Sequence, residues 1–181
     1  MNGLRSGNIP LCPAEIREYI DRIARNVVQY LIDEKLSVST AESCTGGMIS
    51  SAITSVSGAS NVFECGVVSY SERIKEELLG VPNETILNKG VVSAETAIAM
   101  AEGVKKLSGS DLSIAVTGFA GPAHDDDPLP TGTIYISLSY KDRTIAENLR
   151  LYELGSFDRE MNRMLTTAFA LEKAFEILKE V

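Results

Sequence analysis

Residues 36–56 constrain the fold more than any other stretch of the chain. Leu36-Ser37-Val38-Ser39-Thr40 alternates apolar and polar side chains. A run of small hydroxyl residues and the pair Gly46-Gly47 then leads into Met48, Ile49, Ala52, Ile53 and Val56, spaced at steps of one, three and four. A period of two reads as a strand and a period near 3.6 as one face of a helix, so a strand about Leu36–Thr40 passes through a glycine turn into a helix about Thr45–Val56.

The remaining patterns agree. Pro13 opens a helix carrying Ile16, Ile20, Ile23, Val27 and Leu31 to about Glu34. Cys65–Tyr70 reads as a short strand, followed by a charged helical turn, Ser71–Leu79, that Gly80 and Pro82 end. Ser93 caps a helix with the stripe Ala97, Ala101, Val104. Leu112, Ile114 and Val116 alternate into a second glycine turn, Gly118 and Gly121. Ile134, Ile136, Leu138 and Tyr140 alternate again, and Lys141-Asp142-Arg143 turns the chain into a partner strand through Ile145, Leu149 and Leu151. Met161, Leu165, Ala168, Leu171, Phe175 and Leu178 mark a long last helix. Helix–strand alternation followed by a hairpin predicts a mixed sheet between helices.

The chain has 181 residues, enough for one domain that buries roughly 70% of its unfolded surface. Residues 1–13 read as an irregular lead-in and 14–181 as that domain. The 44% hydrophobic content excludes disorder, and three cysteines exclude a disulfide framework and suit free thiols in a cytoplasmic protein. No stretch reaches about 18 uninterrupted apolar residues, so no membrane span is expected. A net charge of −8 opposes nucleic-acid binding, which draws on clustered Lys and Arg. A small-molecule ligand is expected instead.

Chemistry concentrates at Ala41-Glu42-Ser43-Cys44-Thr45-Gly46-Gly47. Ser43 falls at a strand's carboxyl end, where open α/β sheets bind ligands. The N–H groups of Thr45, Gly46 and Gly47 at a helix start suit an oxyanion or phosphate. Ser43 or Thr45 acting only as a helix cap accounts for the same residues. A Ser-His-Asp triad has poor support: the only histidine, His124, lies in an acidic loop, and no G-x-S-x-G motif surrounds Ser43. Lys75 can serve as base if desolvation keeps it neutral, with Tyr70 to orient or relay the proton; as solvated residues of a surface helix, the two need no such role. Thr117, Gly118 and Gly121 form a second turn able to approach a ligand closely. His124-Asp125-Asp126-Asp127 cannot converge on one ion, so no metal is expected. Arg159 and Arg163 share a helix face and suit a phosphate or carboxylate. Cys44, at a helix start, ranks as a rival nucleophile below Ser43.

The segments STAESCTGG (39–47), VFECGVVSYSERIKEELLGV (62–81), GVVSAETAIAMAEG (90–103), VTGFAGP (116–122) and GTIYISL (132–138), with Arg159 and Arg163 in R-x-x-x-R spacing, resemble the CinA C-terminal domain family, the nicotinamide-nucleotide amidases. The resemblance spans about Leu36–Leu178. It implies a three-layer α/β/α sandwich around a mixed, mostly parallel sheet of about five strands, in a homo-oligomer without metal or cofactor. It also implies deamidation of nicotinamide mononucleotide, with Ser43 as nucleophile, Lys75 as base, Tyr70 beside them, Thr117 lining the site and Arg159 on the substrate. Many members carry a separate N-terminal domain, whose activities are not expected of these residues. Members usually continue the turn after Gly121-Pro122 with more glycine, whereas Ala123, His124 and three aspartates follow here. That acidic loop would repel a phosphate at close range. A non-catalytic nucleotide-binding module, or an amidase for another small substrate, are therefore the alternatives.

Overall fold

The computed structural model describes residues 9–122 and 128–180. Helix α1 (Pro13–Glu34) precedes strand β1 (Val38–Glu42) and the short helix α2 (Met48–Thr54). Strand β2 (Phe63–Val68) is followed by three helices, α3 (Glu72–Leu79), α4 (Asn83–Lys89) and α5 (Ala94–Ser108). Strands β3 (Leu112–Gly118), β4 (Ile134–Tyr140) and β5 (Arg143–Asn148) come next, and α6 (Arg159–Lys179) closes the chain. The acidic segment 123–127 lies outside the described residues.

One five-stranded sheet has the order β2-β1-β3-β4-β5. The pairs β1–β2 and β1–β3 are parallel, while β3–β4 and β4–β5 are antiparallel. Only β4 therefore runs against the other strands, which makes the sheet mixed and mostly parallel in direction. Alternation sorts its residues. Val38, Leu112, Ile114, Val116, Ile134, Ile136 and Leu138 bury against α1, α2 and α6 in the larger core. The opposite face presents Ala41 and Ala115 to Met100, Ala101 and Val104 of α5, with Leu79 of α3 and Ile86 of α4 behind. Small side chains let α5 sit close, and the Ser113 hydroxyl donates to Ala101 O at 2.7 Å. The result is a three-layer α/β/α sandwich.

The approach of α3 to α5 is closer still. A Cβ on Gly103 would stand 1.9 Å from the Leu79 carbonyl oxygen, so only glycine lets α5 pass the end of α3. That contact fixes the helix bearing Lys75.

Several boundaries differ from the sequence pattern. Strands β1 and β2 each lie about two residues off the expected spans, leaving Ser43 and Ser69 just past the two strand ends. Helix α2 starts at Met48 rather than Thr45, because Gly46 and Gly47 hold positive φ angles of 60° and 97°. Helix α4 occupies 83–89, a stretch to which the sequence pattern assigned no element. Strand β5 stops at Asn148, and Leu151 opens a short 3₁₀ turn. No helix among the described residues is long and apolar enough to cross a membrane.

Candidate active site

The site lies where β1, β2 and β3 end. Strand β1 exits to α2 on one face of the sheet and β2 exits to α3 on the other, which opens a crevice between their carboxyl ends. Glu42, the last residue of β1, is fully buried on the α2 side. One carboxylate oxygen accepts from the Thr45 hydroxyl at 2.7 Å and the Gly47 and Ile49 amides at 3.0 and 3.1 Å. The other accepts from the Ser50 amide at 2.8 Å and the Ser50 hydroxyl at 2.6 Å. A carboxylate from the preceding strand thus does the work of an N-cap for α2.

This arrangement corrects the expected roles of Thr45, Gly46 and Gly47. The Gly47 amide is consumed by Glu42, the Gly46 amide donates to Ser43 O at 3.1 Å, and none of the three residues lines the cleft. Arg163 is also turned away from any ligand. Its guanidinium donates to Thr45 O at 2.7 and 3.3 Å, pinning α6 to the turn.

Ser43 continues the parallel pairing, its amide donating to Val116 O at 3.1 Å. Its hydroxyl oxygen lies 3.1 Å from Nζ of Lys75. Helix α3 is capped by Ser71, whose hydroxyl accepts from the Ile74 amide at 3.3 Å, and it buries Lys75 and Leu79 one turn apart. Nζ also donates to Ser69 O at 2.6 Å. Lys75 has no solvent exposure. Burial pulls its pKa below the ordinary lysine value, partly opposed by neighbouring Cys44 and Glu72. A lysine so depressed carries a larger neutral fraction at a given pH, the form able to take a proton. Cys44 is buried alongside, and desolvation pushes its thiol up to about 12. Among the described residues Lys75 bonds the Ser43 hydroxyl and not the Cys44 thiol, so Cys44 stays ranked below Ser43 as nucleophile.

A cleft of about 710 Å³ opens over these groups, bounded by Ser43, Lys75, Tyr70, Thr117, Phe119 and Arg159 among others. Tyr70 is 62% exposed and bonds neither Ser43 nor Lys75; its hydroxyl accepts from Arg159 at 2.9 Å. Arg159 also donates to Gly121 O, so one arginine ties the end of β2 to the second glycine turn. Thr117 is buried and its hydroxyl is spent on Val91 O at 2.8 Å. Gly118 is needed sterically, since a Cβ there would stand 2.6 Å from the Ile134 side chain. Asn162, unremarked in the sequence, donates to Ala120 O at 3.1 Å and so holds that turn against α6. Among the described residues, the charged side chains of the cleft wall besides Lys75 are Arg73, Arg159 and Glu72, a cationic balance in a chain of net charge −8.

The family model of the CinA C-terminal domain matches residues 20–178. The chain belongs to the CinA C-terminal domain family. A putative competence-damage inducible protein of Acetivibrio thermocellus is 44% identical over 80% of the chain, and a CinA-like protein of Geobacter sulfurreducens 39% identical over 92%. The chain spans about a third to two-fifths of the length of these curated relatives (35% and 41%). Among solved structures, a competence/damage inducible protein from Agrobacterium tumefaciens superposes with a TM-score of 0.83 at 34% identity, covering 90% of this chain and 96% of its own. A CinA superfamily protein from Escherichia coli gives 0.84 at 28% identity, covering 98% of this chain and 99% of its own. In this CinA domain, the strand-end and glycine-turn patterns anticipated Ser43, Thr117, Gly118 and Gly121 at the cleft, and the family resemblance added Lys75, Tyr70 and Arg159. It missed Glu42, Ser69 and Asn162. The one available signal for Glu42 was an acidic residue in phase with Val38 and Thr40 on a buried face.

Proposed function

We propose that the domain is a nicotinamide-nucleotide amidase working through Ser43 and Lys75. The observation that carries this reading is the 3.1 Å contact between the Ser43 hydroxyl and a fully buried Lys75 with a depressed pKa. A pure binding site has no need of a base there. Neutral Lys75 takes the Ser43 proton as Oγ bonds to the carboxamide carbon of the pyridine ring. With the Gly47, Ile49 and Ser50 amides occupied by Glu42, the Cys44 N–H, next after the nucleophile, is the backbone donor assigned to the oxyanion. Lys75 returns the proton to nitrogen, the C–N bond breaks and ammonia departs. Water then adds to the nicotinoyl ester with Lys75 again as base, giving nicotinic acid mononucleotide and restoring Ser43.

Arg159, with Arg73 further along the wall, favours a substrate bearing phosphate. The test is ammonia release from nicotinamide mononucleotide by the wild-type chain and by Ser43→Ala. Release that vanishes in a folded Ser43→Ala protein is expected. Release that persists in that variant would remove Ser43 as nucleophile.

A further inference from the structure

Ser69 is fully buried, yet its hydroxyl oxygen has no hydrogen-bond partner among the described residues. Burying an unpaired hydroxyl costs stability, so its placement calls for a reason. Its position supplies one. Glu42 pairs in register with Val68, so the next residues, Ser43 and Ser69, emerge side by side from β1 and β2. The Ser69 amide donates to Glu42 O at 2.9 Å, and the Ser69 carbonyl receives Lys75 Nζ at 2.6 Å.

A valence count on Nζ shows what is missing. As a neutral base, the amine points its lone pair at the Ser43 proton and has two N–H groups, one of which Ser69 O accepts. Once Ser43 gives up its proton, Nζ carries three N–H groups in a position with no exposure to water. Ser43 Oγ, by then bonded to carbon, is a poorer acceptor than before. The spare acceptor already at hand is the hydroxyl of Ser69, the residue whose carbonyl Nζ touches.

We propose that Ser69 is a positioning residue for the base: rotation about its Cα–Cβ bond brings Oγ to Lys75 Nζ and holds the ammonium formed when Ser43 is deprotonated. The proposal rests on the Ser43–Lys75 reading but not on the identity of the substrate. It also explains why a strand end keeps a polar side chain that the resting state leaves unpaired.

The test uses a fluorophosphonate, which needs only a reactive serine. Ser43 Oγ bonds to phosphorus, fluoride leaves and the proton passes to Lys75. Labelling rates at Ser43 are measured by mass spectrometry across pH for the wild-type chain, Ser69→Ala, Ser69→Thr and Ser43→Ala. Losing a hydrogen bond to a charged group predicts labelling about ten- to a hundred-fold slower in Ser69→Ala. The inflection of rate against pH moves to lower pH, because the ammonium has lost an acceptor. Ser69→Thr, which keeps a hydroxyl on the same carbon, restores the rate to within a few-fold. The melting temperature of Ser69→Ala stays level or rises, since an unpaired buried group has been removed.

Wild-type labelling speed and an unmoved inflection in Ser69→Ala would overturn the proposal. So would a slow Ser69→Ala that also melts lower and is not rescued by Thr, which would mark a packing role. A wild-type chain that never labels at Ser43 sinks the Ser43–Lys75 reading and this proposal together. A chain that labels at Ser43 but releases no ammonia from nicotinamide mononucleotide sinks the substrate alone, and the Ser69 comparison still decides the proposal.

Discussion

Replacing Glu42 with Gln substitutes NH₂ for one carboxylate oxygen in a group that accepts five hydrogen bonds and donates none. The new amide nitrogen must face one of two sets of donors. Placed toward Thr45, Gly47 and Ile49, it opposes two backbone amides; placed toward Ser50, it opposes one, and the Ser50 hydroxyl can turn round to accept. The second arrangement is cheaper. It still leaves one buried amide unpaired, at about 1–3 kcal/mol. Three charge-assisted bonds become neutral ones, each weaker by about 0.5–1 kcal/mol. The expected loss is on the order of 3–5 kcal/mol, which at about 2–4 °C per kcal/mol for a chain of this size lowers Tm by on the order of 10 °C. Thermal and urea unfolding followed by circular dichroism measure it. Because Ser43 is the next residue, turnover should fall further than the unfolded fraction explains. A loss under about 1 kcal/mol, the size usual for a solvated surface position, would refute the view that Glu42 organises this turn.

Other consequences concern the base and the cleft wall. The folded pKa of Lys75 lies below its unfolded value of about 10.4, so between the two the unfolded chain holds a proton that the folded chain lacks. The unfolding free energy of the wild type therefore rises with pH across that window, and the full burial cost applies below it. Lys75→Met should accordingly be inactive yet gain stability relative to wild type at about pH 6, with the gain shrinking toward about pH 10 in paired urea melts; a gap independent of pH would contradict the assignment. Arg159→Ala should raise KM for nicotinamide mononucleotide about ten-fold or more while leaving the phosphate-free riboside little changed. Equal effects on both compounds in steady-state kinetics would show that Arg159 holds the cleft wall rather than the phosphate.

Periodicity revealed the layers because burial on one face of a strand or helix is written into the chain. Ile114 and Ile136 alternate with Ser113 and Ser137, and both apolar residues lie in the larger core. The strand-to-helix step at Ser43 was legible for the same reason, whereas spacing left Lys75 equally at home on a solvated helix face and only the family resemblance brought it to Ser43. The role of Glu42 was not, because it consists of hydrogen bonds to residues three to eight positions onward that exist only once the turn has closed. Spacing alone made Arg159 and Arg163 equivalent, whereas the fold gives one a carbonyl of the Thr45 turn and the other the cleft. Gly80 and Pro82 read as a break because their torsions stop α3, and nothing local announced that α4 begins again at Asn83. The hydroxyl of Ser69 illustrates the same limit: a serine at a strand end is unremarkable until its neighbours are known.

The central claim is that Lys75 is held beside Ser43 in a state ready to accept a proton. Its ionisation can be read directly by carbon–nitrogen NMR of the full chain carrying ¹³Cε- and ¹⁵Nζ-labelled lysine, with the signal assigned by its absence from Lys75→Met. The account predicts that Lys75 titrates clearly below the ordinary lysine value of about 10.4, and that Ser43→Ala leaves it below that value because burial is the cause. A Lys75 that titrates at or above about 10.4, the value of an unperturbed lysine, would contradict it.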